Sequence, residues 1–195
     1  MSCHLTRPVL AAAALGSLIF LSACSTRQVY DKYSGSTAQR LVTYSIQKLA
    51  HEMKDEDFEA FRGKKIHLNT HFIVQTQDLR YAHEYFQMEF RKRFDMQMVK
   101  ETNADFVFDL FFYSLGTDQD TYGLTIPIVN LNDPSQTVRI DILAMDMYHG
   151  ISEAKLYITD TSSQAVLERD RWLARVRTDK VSTPIFAFPV STLKE

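Results

Sequence analysis

Apolar residues recur at helical spacing from Thr37 to about Lys54, where Val42, Ile46, Leu49 and Met53 form one stripe and Ser36 or Thr37 can cap the start. Asp55-Glu56-Asp57 interrupts this helix, and Phe58 and Phe61 then mark a short amphipathic turn ahead of Gly63. From Lys65 to Ile73 the period changes to two, with Ile66, Leu68, Thr70 and Phe72 facing one way and His67, Asn69 and His71 the other. A second helix is expected over Gln75–Phe94, carrying Leu79, Ala82, Phe86, Phe90 and Phe94 on its apolar face and Arg91, Lys92 and Arg93 in its last turn. Met96–Val99 reads as a short strand and Phe106–Leu115 as a strongly apolar one whose only charge is Asp109. Gly116–Gln136 mixes loop and short-strand character, Thr137–Tyr148 reads as a strand that ends at a His149-Gly150 turn, and Glu153–Asp160 and Gln164–Thr178 form a hairpin across Thr161-Ser162-Ser163. The tail from Val181, with Pro184 and Pro189, is expected to lie over the domain surface. This order predicts an α+β domain over 37–195, a mostly antiparallel sheet of about five to six strands with two helices on one face.

The first 24 residues have a different character. Residues 1–23 contain no acid and one formally charged side chain, Arg7, followed by an apolar run from Val9 to Phe20. That run is shorter than the roughly 20 residues a stable bilayer span requires and has the form of a secretory signal peptide. It ends in Leu21-Ser22-Ala23-Cys24, which resembles the lipobox of bacterial lipoproteins. The resemblance implies cleavage before Cys24 and acylation of its sulfur and amino group with palmitate-type chains; the plainer reading is an ordinary signal ending near a cysteine. Residues 24–36, polar and without periodicity, then read as a lipidated tether. Ser25 stands where an Asp would retain an enterobacterial lipoprotein in the inner membrane, so the analogy places this chain on the periplasmic face of the outer membrane.

Composition narrows the function classes. At 195 residues, 45% hydrophobic and 24% charged, the chain has the make-up of one folded domain. A net charge of −2 leaves no footprint for nucleic-acid binding. Cys3 leaves with the leader and Cys24 is taken by lipid, so no disulfide is expected in the mature domain.

The run from Gly35 to Pro127 carries a further likeness. Gly35-Ser36-Thr37-Ala38-Gln39 opening a helix, Phe61-Arg62-Gly63-Lys64-Lys65 entering a strand, Asn103-Ala104-Asp105 before an apolar strand, and Leu115-Gly116-Thr117-Asp118 leading to Ile126-Pro127 resemble a group of uncharacterised bacterial envelope lipoproteins. The match covers about half the chain and implies no particular activity. The order of elements is also similar, at the level of fold alone, to the small domains of the curli-secretion lipoprotein and the lipoprotein activators of peptidoglycan synthases.

Catalytic patterns are thin. The chain has no G-x-S-x-G, H-E-x-x-H, Gly-rich phosphate loop or C-x-x-C, and no cofactor or metal is expected. His67 and His71 lie about 13 Å apart along one strand, too far to share an ion. Asp118-Gln119-Asp120 with Gly123 resembles the start of a calcium loop, but Tyr122 and Val129 occupy ligand positions, so turn-forming aspartates read better. Asp105 and Asp109 are too widely spaced to act as a carboxylate pair; a turn cap suits Asp105, and an ion pair or an edge position suits Asp109.

Two surface features remain. Arg169, Arg171, Arg175 and Arg177 share one parity of the last long strand, opposite Trp172, Ala174 and Val176, and suit an anionic partner; the alternative is a solvated face paired with acids such as Asp141 or Glu153. The 116–136 segment carries Tyr122, Leu124, Ile126 and Ile128 around Pro127, either as a functional loop or as an irregular edge strand. The expectation is a non-enzymatic outer-membrane lipoprotein that binds an envelope protein, its own copies or an anionic envelope polymer. The alternative is an envelope hydrolase using aspartates of the 116–136 segment.

Overall fold

Helix α1 (Ser36–Glu52) buries the expected stripe, with Leu41, Ile46 and Leu49 fully enclosed and Val42 and Ala50 nearly so. A computed structural model of the protein describes residues 27–28, 35–128 and 138–191, with backbone alone for 27–28, 127–128, 138–139 and 191. The leader, the lipobox with Cys24, and the connection 129–137 lie outside the described residues. The residue ahead of α1 is Gly35, which makes no side-chain cap, so the capping expected of Ser36 or Thr37 is not what starts this helix. Its far end is held from outside: Arg93 donates to the carbonyls of Ala50 (2.6 Å) and Met53 (2.7 Å) and pairs with Asp55.

Two 3₁₀ turns follow, Asp55–Asp57 and Glu59–Phe61, and Gly63 takes φ +70° to turn the chain into β2 (Lys65–His71). Helix α2 (Gln77–Phe94) is capped by Thr76, whose hydroxyl accepts from the Leu79 N–H at 3.2 Å. It returns the chain to β3 (Gln97–Met98), which pairs parallel to β2. A parallel pair needs a crossover, and α2 supplies it. After the 3₁₀ turn Glu101–Asn103, β4 (Phe106–Ile128) enters on the other side of β2, again parallel, with Ile66 opposite Phe106 and His71 opposite Phe111.

Three strands longer than expected complete the path: β4, β5 (Val138–Asp160) and β6 (Val166–Ser182), then the short β7 (Ala187–Ser191). The strand order is β3-β2-β4-β5-β6-β7, with a two-residue strand β1 (Arg27–Gln28) antiparallel to β4. Contacts between β4 and β5 show their opposed directions: Phe111 meets Tyr157, whereas further along β4 Thr121 meets Asp146. The five residues joining β5 to β6 force a hairpin, capped by Asp160, which accepts from Ser162 N (2.8 Å), Ser162 Oγ (2.6 Å) and Ser163 N (3.1 Å).

The α+β class is therefore correct, but the sheet is mixed, because the α2 crossover sets β2 parallel to both its neighbours. Residues 116–128 are strand, His149-Gly150 lies inside β5 instead of a turn, and the tail from Val181 joins the sheet as the end of β6 and β7.

The chain divides into two units. The larger, Lys32–Asp118 with Tyr148–Thr178, holds both helices and a core of aromatic rings. Phe58 sits among Phe90, Phe94, Phe108 and Trp172 with centroids 5.2–6.4 Å apart. Core residues from both helices and from the even positions of β4, β5 and β6 join one cluster, so the helices share one face of this unit's sheet. The described residues of the smaller unit, Met1–Asp31 with Gln119–Met147 and Asp179–Ser191, lie on strands apart from the link 183–186.

Candidate functional site

In the larger unit the sheet face opposite the helices is uncovered. Alternation sends Phe108, Leu110 and Phe112 of β4 into the core, and so sends Asp109, Phe111 and Tyr113 the other way. The same parity on β2 puts Asn69 and His71 beside them, and on β5 it adds Glu153, Lys155 and Tyr157. Phe111, Tyr113 and Tyr157 line a shallow depression of about 400 Å³. Phe111 and Tyr157 meet edge to face at 5.7 Å.

Polar groups ring this aromatic cup in matched pairs. His71 stacks on Phe111 (4.3 Å, 17°) and bonds Asp109 through Nε2 at 2.9 Å, while Asn69 donates to the same carboxylate oxygen at 3.1 Å. On the other side Arg171 lies 4.3 Å over the Tyr113 ring and is paired with Glu153 at 2.5 Å. Lys155 lies 5.6 Å over the Tyr157 ring and is paired with Glu168, whose carboxylate is the main cause holding the ammonium above the ordinary lysine range. These charges are already neutralised, which leaves the rings as the surface with most to gain from a partner.

Two of the four arginines are already paired within the larger unit. Arg169 reaches the Asp57 carbonyl at 2.5 Å and its carboxylate at 3.6 Å, in the segment after α1. Arg171 pairs with Glu153, as the solvated-face alternative has it. Arg175 is exposed and Arg177 half-buried. Asp109 lies on a strand between two neighbours and hydrogen-bonds His71 and Asn69, and Asp105 accepts from the Lys65 N–H at 3.0 Å. His67 bonds the Val99 carbonyl at 2.9 Å.

Asp118, Asp120, Tyr122 and Leu124 all lie on β4, not on a loop. In the smaller unit Tyr122 and Leu124 are exposed, while Thr121 on the opposite parity is buried and donates to Asp146 at 2.6 Å. Gly123 explains itself as a strand residue: with φ +142° and a Cβ that would fall 2.1 Å from the Leu143 carbonyl oxygen, no larger residue fits. Among the described residues no group of three His, Cys, Asp or Glu could hold a metal ion, and no helix is long and apolar enough to cross a membrane.

A second depression, about 310 Å³, lies at the start of α2 between Thr70, Thr76, Arg80 and His83. His83 Nε2 accepts from the Gln87 amide at 2.8 Å, its Nδ1 lies 3.4 Å from the Thr70 hydroxyl, and burial pushes its pKa down against the pull of Glu84. Sequence reasoning missed the aromatic cup because 106–115 reads as apolar throughout; the signal was that Phe111 and Tyr113 fall on the parity opposite Phe108, Leu110 and Phe112. The chain matches no protein-family model and no curated protein.

Proposed function

We propose that the protein is a lipid-anchored component of the bacterial outer membrane that binds another envelope component through the helix-free face of its larger unit, without catalysing a reaction. The observation that carries this reading is the open cup of Phe111, Tyr113 and Tyr157 with its ring of paired charges. An enclosed reaction site gathers unpaired, convergent polar groups; this surface offers rings to stack on and neutralised charges that keep it soluble. Acylation at Cys24, proposed from Leu21-Ser22-Ala23-Cys24, supplies the location, and the partner is an envelope protein, a second copy or an anionic polymer.

The test is crosslinking in cells followed by purification of the lipidated chain, with Phe111→Ala and Tyr113→Ala combined. Both side chains are more than a third exposed, so the fold should tolerate their loss. The expected result is loss of most of the crosslinked partner at unchanged protein level. Equal recovery from the variant overturns the assignment of this face.

A further inference from the structure

The described residues of the smaller unit present exposed apolar side chains on strands, and none of those residues is in a helix. Tyr122, Leu124 and Ile126 alternate along β4 at 46–52% exposure, Leu143 on β5 is 58% exposed, and Phe186, just before β7, and Phe188 on β7 are 55% and 53% exposed with their rings 5.4 Å apart. Among this unit's described residues only Ala144 and Met147 are buried apolar side chains. A row of large apolar side chains left exposed along one strand, with further exposed rings at β7, marks a surface with a use.

Chain geometry narrows what that use is. Within this unit β1 pairs Gln28 with Asp120 and Arg27 with Thr121, the residue just before Tyr122. Arg27 stands three positions after Cys24, with only Ser25 and Thr26 between them. A chain spans at most about 3.5 Å per residue, so an acylated Cys24 lies within roughly 10 Å of Arg27. We infer that the apolar strands of the smaller unit rest in the membrane interface beside the lipid anchor, forming a second, protein-made contact with the bilayer. This inference rests on acylation of Cys24. Two signals together hold a protein to a membrane far better than one, and an aromatic and aliphatic mixture such as Tyr122, Leu124, Phe186 and Phe188 is the chemistry the lipid–water boundary accepts. The occupant is thus the lipid surface, since the anchor places that surface within reach of these strands.

The experiment uses the full chain with Leu124→Cys or Phe188→Cys, labelled with an environment-sensitive fluorophore after reconstitution in vesicles of phosphatidylethanolamine and phosphatidylglycerol. Exposed positions tolerate the change. Spin-labelled lipids should quench both labels about twofold while aqueous iodide leaves them bright. Quenching by iodide instead shows strands in water and overturns the inference. Protection from both quenchers shows that a second copy covers the sheet, and overturns it equally. Intact mass separates this from the anchor reading: a chain that begins at Cys24 and carries the added acyl mass upholds the anchor, and a chain without that mass means that the acylation proposal has failed, whatever the quenching shows.

Discussion

His83 shows how one side chain records its surroundings. It is half-buried between β2 and α2, Gln87 Nε2 lies 2.8 Å from its Nε2, and burial is the largest cause pushing its pKa below 6.5. An amide donor at that distance needs a lone pair on the ring, so the neutral imidazole is the form the fold accommodates. The sign of the pH dependence follows. Above 6.5 neither state is protonated at His83; as pH falls below that value the unfolded chain takes up the proton first, and stability declines until pH reaches the lowered folded value. The urea midpoint of the native chain should therefore drop between about pH 7.5 and pH 5.5 by more than that of His83→Gln, which cannot titrate. Parallel curves for the two proteins would show that the ring is not held neutral. The sequence placed Gln87 one turn from His83, but Thr70 on β2, whose hydroxyl lies 3.4 Å from the ring, is a neighbour only folding supplies.

Among the elements, α1 and β5 cross where side chains are smallest. Gly150 sits so close to α1 that a Cβ there would fall 2.1 Å from the Leu41 carbonyl oxygen. One step along the same face, Ser152 Oγ lies 2.7 Å from Ser45 Oγ, and Ser45 donates to the Val42 carbonyl at 2.8 Å, so Ser152 supplies the shared proton. Both hydroxyls are fully buried, and each satisfies the other. Gly150→Ala should push helix and strand apart and cost about 1–3 kcal/mol, read as a lower midpoint in urea unfolding. A midpoint unchanged from the native protein would mean the crossing has slack. The same glycine accounts for the misread turn. In a sequence Gly punctuates, and His149-Gly150 looks like the end of a strand; its actual role is to let a helix backbone approach, a cause invisible without the helix beside it. Elements set by their own periodicity, α1, α2, β2 and the start of β4, were legible, and the ends of α2 and β2 moved by only two residues. What was not legible is set at long range: the parallel pairing imposed by α2, the extension of β4 past Gly116, and the pairing of Arg169 with Asp57, which is 112 residues away.

At the scale of the whole molecule the two units differ in what holds them. The larger has the aromatic cluster around Phe58 and the apolar faces of two helices, whereas the described residues of the smaller contribute only Ala144 and Met147 to the buried apolar set. Since buried apolar area is the dominant favourable contribution to folding, amides in the two units should not open with the same free energy. Hydrogen exchange makes this measurable within single strands, because β4 and β5 each contribute to both units. In detergent-free solution the amides of Phe108, Leu110 and Phe112 should exchange only through global unfolding. Those of Leu124 and Ile126, further along the same strand, should exchange through local opening and so much faster. Addition of vesicles should slow the second group and leave the first unchanged, since a lipid surface supplies the smaller unit with the apolar cover that its own side chains do not. Uniform slow exchange along all of β4 in solution, with no response to vesicles, would mean that the smaller unit is already fully covered and needs no membrane to complete it.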